Sequence, residues 1–305
     1  MSIQEELKVG RQGDIWVTTF SIVACDLAAR EWGVAVQSKF LAVGAVVPWA
    51  QAEVGAVATQ SYANTSYGPK ALSLMAQGYS AQEALDALIA EDPGRAQRQV
   101  GIVDAQGRSA TFTGEECMAW AGGRTGPGYA CQGNILVGPE TVDAMAETFE
   151  ATPGPLADRL LAALAAGQEA GGDRRGQQSA ALLVVKPEGG YGGFNDRYID
   201  LRVDDHPRPI EELKRLLDLF RLYFGETEEA ALLPITEEIA RELQTRLRDL
   251  GYYRGPITGV YDEATRHALR EYSGVENLEE RLREDDRIDP VILDFLRRQH
   301  AQAQS

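Results

Sequence analysis

The chain is 305 residues long, with 30 Lys and Arg against 46 Asp and Glu and a formal net charge of −16 at pH 7. Its hydrophobic fraction of 44% and charged fraction of 25% are those of a soluble globular protein with core enough for two domains, which excludes a disordered or fibrous chain. Phosphate backbones are held by Lys and Arg that release counterions, so the acidic field excludes nucleic acid and an anionic membrane as partners; otherwise it reads as a solvated, solubilising surface.

Residues 1–17 form a polar leader without the apolar stretch of a secretory signal, and no run approaches 18 apolar residues. A cytoplasmic protein is therefore expected. Thr18–Ala24 (TTFSIVA) reads as a strand, a turn spans Asp26–Arg30, and Gly33–Val36, Ala42–Val47 and Gly55–Thr59 are further strand candidates. Ser80-Ala-Gln-Glu83 is a capping box opening a helix through Ile89 that must stop before Pro93. Gln99–Val103 and Ser109–Thr113 flank Asp104-Ala-Gln-Gly107 as a hairpin. Helices are expected over Glu140–Phe149 and Leu156–Gln168, with Gly171 just beyond as a C-cap would be. Ala180–Val185 reads as a strand buried on both faces, and Tyr198–Val203 alternates less clearly. The glycine-rich stretches 122–128 and 189–193 read as loops, since neither opens a helix that could cradle phosphate. Strands, then helices, then strands again predict an α+β fold of stacked sheets with helices outside, not a doubly wound parallel sheet.

Glu211–Phe224 is an amphipathic helix, and the stretch 225–234 (GETEEAALLP) reads as a linker. Beyond it, Glu237–Leu250 carries Ile239, Leu243, Leu247 and Leu250 at helical spacing and ends at Gly251. Asp262 can cap a second helix through Tyr272, and Asp289-Pro290 supplies N-cap and first position for a third. The expected organisation is a leader (1–17), an α/β domain (18–224), a linker (225–234) and a three-helix domain (235–300).

Chemistry centres on two threonines at the head of the first strand. A hydroxyl is a weak nucleophile unless a base takes its proton, and the α-amine of an N-terminal threonine, with a pKa of about 7.7–8.0, can be that base. Thr18 and Thr19 begin a strand as this requires, but the bond before one of them must first be broken. Cys25, Cys117 and Cys131 make neither a disulfide framework nor a zinc spacing. No spacing supports a nucleophile pair of Cys25 or Cys131 with His206. Asp204-Asp205-His206 reads as a charged loop end rather than a metal site, because neighbouring residues of an extended segment face opposite ways. No metal or organic cofactor is expected.

Thr19–Ala24 (TFSIVA), Gly33–Val47, Ala58–Asn64 (ATQSYAN), Gly171–Val184 and Tyr198–His206 (YIDLRVDDH) resemble an uncharacterised bacterial family assigned to the N-terminal-nucleophile hydrolase superfamily. The resemblance covers Thr19–Leu222 and implies a four-layer αββα sandwich, amide-bond hydrolysis and a homo-oligomer. It gives Thr19 the nucleophile role after loss of what precedes it. Here 18 residues precede it, which leaves three explanations: self-cleavage, an initiation site set too far upstream, or a blocked site. An alternative start at Val17 would put Thr18 first, so the register stays open by one residue. Tyr129–Gly138 resembles the segment that places a backbone N–H beside the nucleophile in proteasome-like relatives, so Gly133 or Asn134 would supply part of an oxyanion hole. By the same resemblance Lys39 would lower the nucleophile's pKa and Asp173 would orient the amine. Asn64, Arg174 and Ser179 are weaker substrate-side candidates.

In the C-terminal region, Leu243-Gln-Thr-Arg-Leu247, Leu250-Gly-Tyr-Tyr253, Gly255–Gly259 and Tyr261–Thr265 resemble three-helix peptidoglycan-binding domains over Ile235–Leu296. The combined expectation is an amidohydrolase with an N-terminal threonine, acting on a small amide or peptide, with a peptidoglycan fragment as a candidate partner. The alternative is a non-catalytic binding or assembly protein that keeps the fold and recognises its partner through the helical domain.

Overall fold

The structure is a computed structural model that describes residues 19–304; the expectation for Thr18 and the leader lies outside the described residues. The chain divides into two compact units, with the boundary between Arg215 and Leu216. Its described residues form a mixed α/β protein with antiparallel sheets, eight α-helices and a helical C-terminal region.

The first unit holds two sheets. The larger runs in the order β10-β9-β2-β1-β8-β7, from β1 (Thr19–Asp26), β2 (Glu31–Ser38), β7 (Gly122–Gly126), β8 (Tyr129–Gly133), β9 (Ser179–Val185) and β10 (Arg197–Val203). The smaller is β3-β4-β5-β6, from β3 (Pro48–Gln51), β4 (Gly55–Ser61), β5 (Arg98–Asp104) and β6 (Ser109–Thr113). β1 lies at the centre of the larger sheet, pairing Thr19 with Ser38 on one side and Phe20 with Gly133 on the other. Its turn into β2 is set by Asp26, whose carboxylate accepts the N–H groups of Ala28 and Ala29 at 3.0 and 3.1 Å.

Strand alternation sorts the packing. Val23, Val34, Val36 and Leu183 of the larger sheet meet Ala56, Ala58 and Val103 of the smaller in one buried cluster between the sheets. The far face of the smaller sheet, with Val57, Val100 and Ile102, is covered by α1 (Tyr67–Ala76) and α2 (Ala81–Glu91) through Tyr67, Leu72, Leu85 and Leu88. On the far face of the larger sheet lie α3 (Glu140–Ala151) and α4 (Leu156–Glu169). A Cβ on Gly33 would come within 2.8 Å of Leu160 Cδ1 and of the Leu183 carbonyl, so glycine is what lets α4 settle there.

Two expectations fail for identifiable reasons, and one helix goes unread. Ala42–Val47 is not a strand: Ala42 has φ of 54°, and Val43–Ala45 forms a 3₁₀ turn. The Ala42 N–H goes to the Asp204 carbonyl at 3.0 Å and the Val43 N–H to Ser179 Oγ at 3.1 Å, partners outside any ladder. The stretch Gly122–Gly128 begins as strand β7, not a loop. Its glycines admit rings, since a Cβ on Gly122 would sit 2.6 Å from Trp120 and one on Gly126 2.3 Å from Tyr129. Helix α1 escapes a sequence reading because Gly68 and Pro69 look like breakers. Pro69 falls in its first turn, where no intrahelical N–H is needed.

Helix α5 (Pro209–Phe224) carries the chain across the boundary. The second unit contains α6 (Glu237–Asp249), α7 (Glu263–Val275) and α8 (Pro290–Ala303), capped by Thr236, Asp262 and Asp289. The core joins Leu243, Leu247, Leu269, Tyr272, Ile292 and Leu296. The segment expected as a linker supplies β11 (Leu233–Pro234), paired with β12 (Arg287–Ile288), and Thr227, whose hydroxyl donates to Asp289 Oδ2 at 2.8 Å. Arg281 pairs with the same carboxylate at 2.8 Å while its other donors take the Arg221 and Leu222 carbonyls at the end of α5.

Gln244 is the pivot of this unit. Fully buried, its carbonyl accepts the N–H groups of Thr258 and Gly259, each at 2.9 Å, and its amide donates to Val260 O and Thr265 Oγ1 at 2.9 and 3.0 Å. Replacing Gln244 by Met leaves the N–H groups of Thr258 and Gly259, the second of them buried, without their acceptor. We expect a loss of about 2–4 kcal/mol in the unfolding of this unit, read as a lower urea midpoint for residues of α6–α8.

Candidate functional site

Thr19 is the first described residue, wholly buried, and its Oγ1 has no hydrogen-bond partner among the described residues. It shares strand parity with Ser21 and Val23, so its side chain belongs to the face between the two sheets. At this end the interior changes from valine and alanine to amides. Ser21 Oγ donates to Gln60 Oε1 at 2.6 Å and accepts from Gln132 Nε2 at 2.7 Å. Gln60 Nε2 donates to Gln99 Oε1 at 2.9 Å and to the Thr19 carbonyl at 3.3 Å. Asn134 Nδ2 donates to the same Gln99 Oε1 at 2.9 Å, and the Asn134 N–H to the Thr19 carbonyl at 3.0 Å.

The orientation of these amides follows from chemistry. Gln99 Nε2 faces two backbone carbonyls, Gly133 O at 2.7 Å and Gly122 O at 3.2 Å, which only accept, so this end must be the nitrogen. Its other end is then an oxygen, and the Gln60 and Asn134 atoms against it must be donors. What is left over defines the site. Thr19 Oγ1, Asn134 Oδ1 and Gln132 Oε1 are buried without partners among the described residues. All three lie on the face between the sheets, at the level where Gln132 pairs with Ser21; Gln37, opposite Phe20, belongs to the other face of the sheet. Buried polar atoms are nearly always satisfied, so a cluster of exceptions marks a place to explain.

The other sequence candidates are distributed around this level. Lys39 follows Thr19's partner Ser38; its ammonium is exposed and donates to the Gln177 carbonyl at 3.2 Å. The Lys39 N–H meets Asp173 Oδ2 at 3.2 Å, which ties the buried carboxylate to the same corner. Burial pushes the Asp173 carboxyl up, and Arg175, at 2.7 Å, opposes it. Arg174 is exposed, with its N–H on the Ile135 carbonyl at 3.0 Å. Gly133 is buried and gives its carbonyl to Gln99. The N–H of Asn134 is spent on Thr19's carbonyl. Ser179 bonds the Phe40 carbonyl at 2.5 Å and holds the turn after β2.

Asn64 belongs to a different cluster. Its Oδ1 accepts from Ser66, its Nδ2 donates to Asp92 at 3.2 Å, and Asp92 also takes Tyr67 Oη at 2.8 Å and Arg98 Nε at 2.9 Å. The cysteines offer no thiolate. Burial, with Asp104 nearby, pushes Cys25 up to about 11, and burial raises the fully enclosed Cys131 further. His206 Nδ1 accepts the Arg208 N–H at 3.1 Å. Among the described residues no three His, Cys, Asp or Glu side chains converge to hold a metal.

Ser21, Gln60, Gln99 and Gln132 were missed from sequence. A usable signal exists: each is a polar residue at an inward position of an otherwise apolar strand, as in GAVATQS and RQVGIVD.

A family model matches residues 19–213, the stretch that holds Thr19, both sheets and the amide network. The chain belongs to that family, the family of unknown function DUF1028. The DUF1028 domain is followed by a match to a second model, described as "Putative peptidoglycan binding domain", over residues 223–296, so the chain carries a peptidoglycan-binding-like domain. Among solved structures, the crystal structure of a DUF1028 protein from Silicibacter pomeroyi is 32% identical. It superposes with a TM-score of 0.61 over 70% of this chain and 92% of its own. No curated protein matches the chain.

The Asp92 cluster makes a test independent of function. Burial alone would raise this carboxyl, but hydrogen bonds from Arg98, Tyr67 and Asn64 outweigh it and hold it well below the usual range. A depressed carboxyl stabilises the fold fully above its unfolded value and loses that contribution as pH falls through the folded one. Stability should therefore drop by about 2–3 kcal/mol on acidification below about pH 4, read by chemical denaturation at successive pH values. Asp92→Asn should be less stable at pH 7 and show a flatter acid slope.

Proposed function

We propose that this protein is an amidohydrolase of the N-terminal-nucleophile type, with Thr19 as nucleophile once the bond before it is broken, in an αββα arrangement of the two sheets and their covering helices. The observation that carries this reading is the Thr19 hydroxyl: buried, unpartnered among the described residues, at the head of a central strand, beside the equally unmet Asn134 Oδ1. The family match that begins at Thr19 supports it. Thr19 Oγ attacks a substrate carbonyl and its own amine takes the hydroxyl proton. The C–N bond then breaks with that proton delivered to the leaving amine, and water hydrolyses the ester to a carboxylic acid, restoring Thr19. No metal or organic cofactor enters this sequence. Asp173, fixed by Arg175 and the Lys39 N–H, orders the corner beside Ser38, and the Gly133 segment borders the acyl group.

The substrate class is a small amide or peptide, and the peptidoglycan-binding-like unit favours a cell-wall peptide fragment. Three unpaired cysteines support a reducing, cytoplasmic setting; no helix of the described residues is long and apolar enough to cross a membrane. A homo-oligomer is part of the same reading. One observation favours the rival, a non-catalytic binding or assembly protein: both nitrogens of Asn134 are committed, which removes an oxyanion donor.

Intact mass and N-terminal sequencing of protein from its native host should give a chain that begins at Thr19. That chain, treated with a β-lactone, should gain the mass of one opened lactone as an ester on Thr19, and Thr19→Ala should gain none. A native chain retaining residues before Thr19, and inert to the reagent, would overturn the enzyme in favour of the rival. Separately, the intact protein should sediment with purified peptidoglycan more than a variant ending at residue 215. Equal sedimentation would remove the cell-wall partner.

A further inference from the structure

We infer that Asn134 Oδ1 is the hydrogen-bond acceptor for the amine of a terminal Thr19, and that its lack of charge keeps that amine neutral enough at pH 7 to take the hydroxyl proton. The inference rests on the reading of Thr19 as a terminal nucleophile.

The argument is one of elimination within the amide network. Gln99 is fixed by the carbonyls of Gly133 and Gly122, which forces the Asn134 nitrogen against Gln99 Oε1 at 2.9 Å and turns the Asn134 oxygen away from it. The backbone N–H of Asn134 is bound to Thr19's carbonyl, so Asn134 sits directly beside Thr19. Only Oδ1 remains, fully buried and unpartnered among the described residues, and it can only accept. Thr19 lies beside it with an equally unpartnered hydroxyl. A newly freed amine brings two or three N–H donors into this interior, where an unmet donor costs about 1–3 kcal/mol. Asn134 Oδ1 is the acceptor beside it that is vacant among the described residues, since the other unmet acceptor on this face, Gln132 Oε1, is turned against Gly101 of β5. Asn134 thus acts as a positioning residue for the base, not as an oxyanion donor.

The sign of its effect depends on charge. A carboxylate within about 4–6 Å would raise the amine by 1–3 pK units and leave little free base at pH 7; a neutral carbonyl holds the amine without that penalty. Nearest to Asn134, Arg174, Glu115 and Glu116 are exposed, Arg124 of β7 pairs with Asp143 at 3.3 Å, and burial raises the Cys117 thiol. Asp173 is spent on Arg175 and the Lys39 N–H, and the Lys39 ammonium lies on the Gln177 carbonyl. Arg98 at the head of β5 is held by Asp92 and the Tyr62 carbonyl. β4 carries no ionisable residue, and Cys131 on β8 keeps its proton. Glu169 and Glu140, at the near ends of α4 and α3, are exposed. Asp26, Glu31, Tyr129 and Asp104 stand at the opposite strand ends, with Asp158 and Arg159 at the opposite end of α4.

The test is a carbon-13 NMR titration of threonine-labelled protein prepared with Thr19 as its first residue, following the Thr19 Cα and Cβ shifts. The wild-type amine should titrate near its ordinary value of about 7.7–8.0. Asn134→Asp should raise it by about one unit or more, and slow β-lactone acylation at pH 7 about tenfold, with the rate recovering at higher pH. Asn134→Ala, which removes the acceptor, should lower it. Shifts of opposite sign are not what a purely structural loss would give. Two variants that leave the titration within about 0.2 units of wild type would overturn the inference. So would a wild-type amine titrating above about 9, which decides the matter even if neither variant folds. An amine that behaves as expected in a protein that no β-lactone acylates would overturn the nucleophile alone.

Discussion

The hydrogen bonding of Gln99 is the constraint on which the first unit turns. Two sheets pack through valine and alanine over most of their shared face, but at the Thr19 end both present amides. In a low-dielectric interior a half-satisfied amide is worse than an apolar side chain, so such a layer must be connected throughout or absent. Gln99 connects it. Its nitrogen reads two carbonyls of the β7–β8 pair, its oxygen collects Gln60 and Asn134, and every other orientation in the layer follows from that choice. Closeness of the sheets matters as much: a Cβ on Gly101 would lie 2.0 Å from Gln132 Oε1, so only a glycine lets Gln132 reach across β5.

The backbone contributes strain at the same level. Ser61 and Ile135 have φ of 66° and 51°, and each directly follows a residue that donates to Thr19's carbonyl, Gln60 and Asn134. Positive φ is unusual for any side chain and a genuine outlier for a β-branched one, costing of order 1–3 kcal/mol. In both cases the chain leaves its strand immediately after presenting an amide to the interior. A regular strand would have carried the next side chain to the opposite face and the one after it back into the site.

Local signals were legible in the sequence wherever one residue type answers one backbone need. The Ser80–Glu83 capping box, the Asp262 cap and the Asp289-Pro290 start are all formed, because each satisfies free N–H groups within its own first turn. The buried character of β9 was legible from its unbroken apolar run. Failures came where tertiary contacts outbid local preference: Ala42–Val47 has strand composition, yet Ser179 and Asp204 capture its N–H groups from elements more than a hundred residues away. The glycines of β7 read as loop because their purpose, making room for Trp120 and Tyr129, is invisible without the partners. For the candidate site, the sequence offered Thr19 and Asn134, but not which side-chain atom of Asn134 is left without a partner among the described residues. That depends on Gln99, which reads in isolation as an ordinary polar residue at a strand start.

The two units illustrate opposite uses of a buried amide. Gln244 in the second unit has its carbonyl filled by two backbone N–H groups and its nitrogen by two further acceptors, so it closes the loop after α6 and has nothing left to offer a ligand. Gln99 is closed in the same way. Asn134, built into the same layer as Gln99, is closed on its donor side and open on its acceptor side. The distinction is chemical rather than positional, since all three side chains are fully buried. Saturation holds a fold together; an unmet acceptor beside an unmet hydroxyl, among the described residues, is an arrangement that folding alone does not require. That asymmetry, more than burial or proximity, distinguishes Asn134 from Gln99 and Gln244.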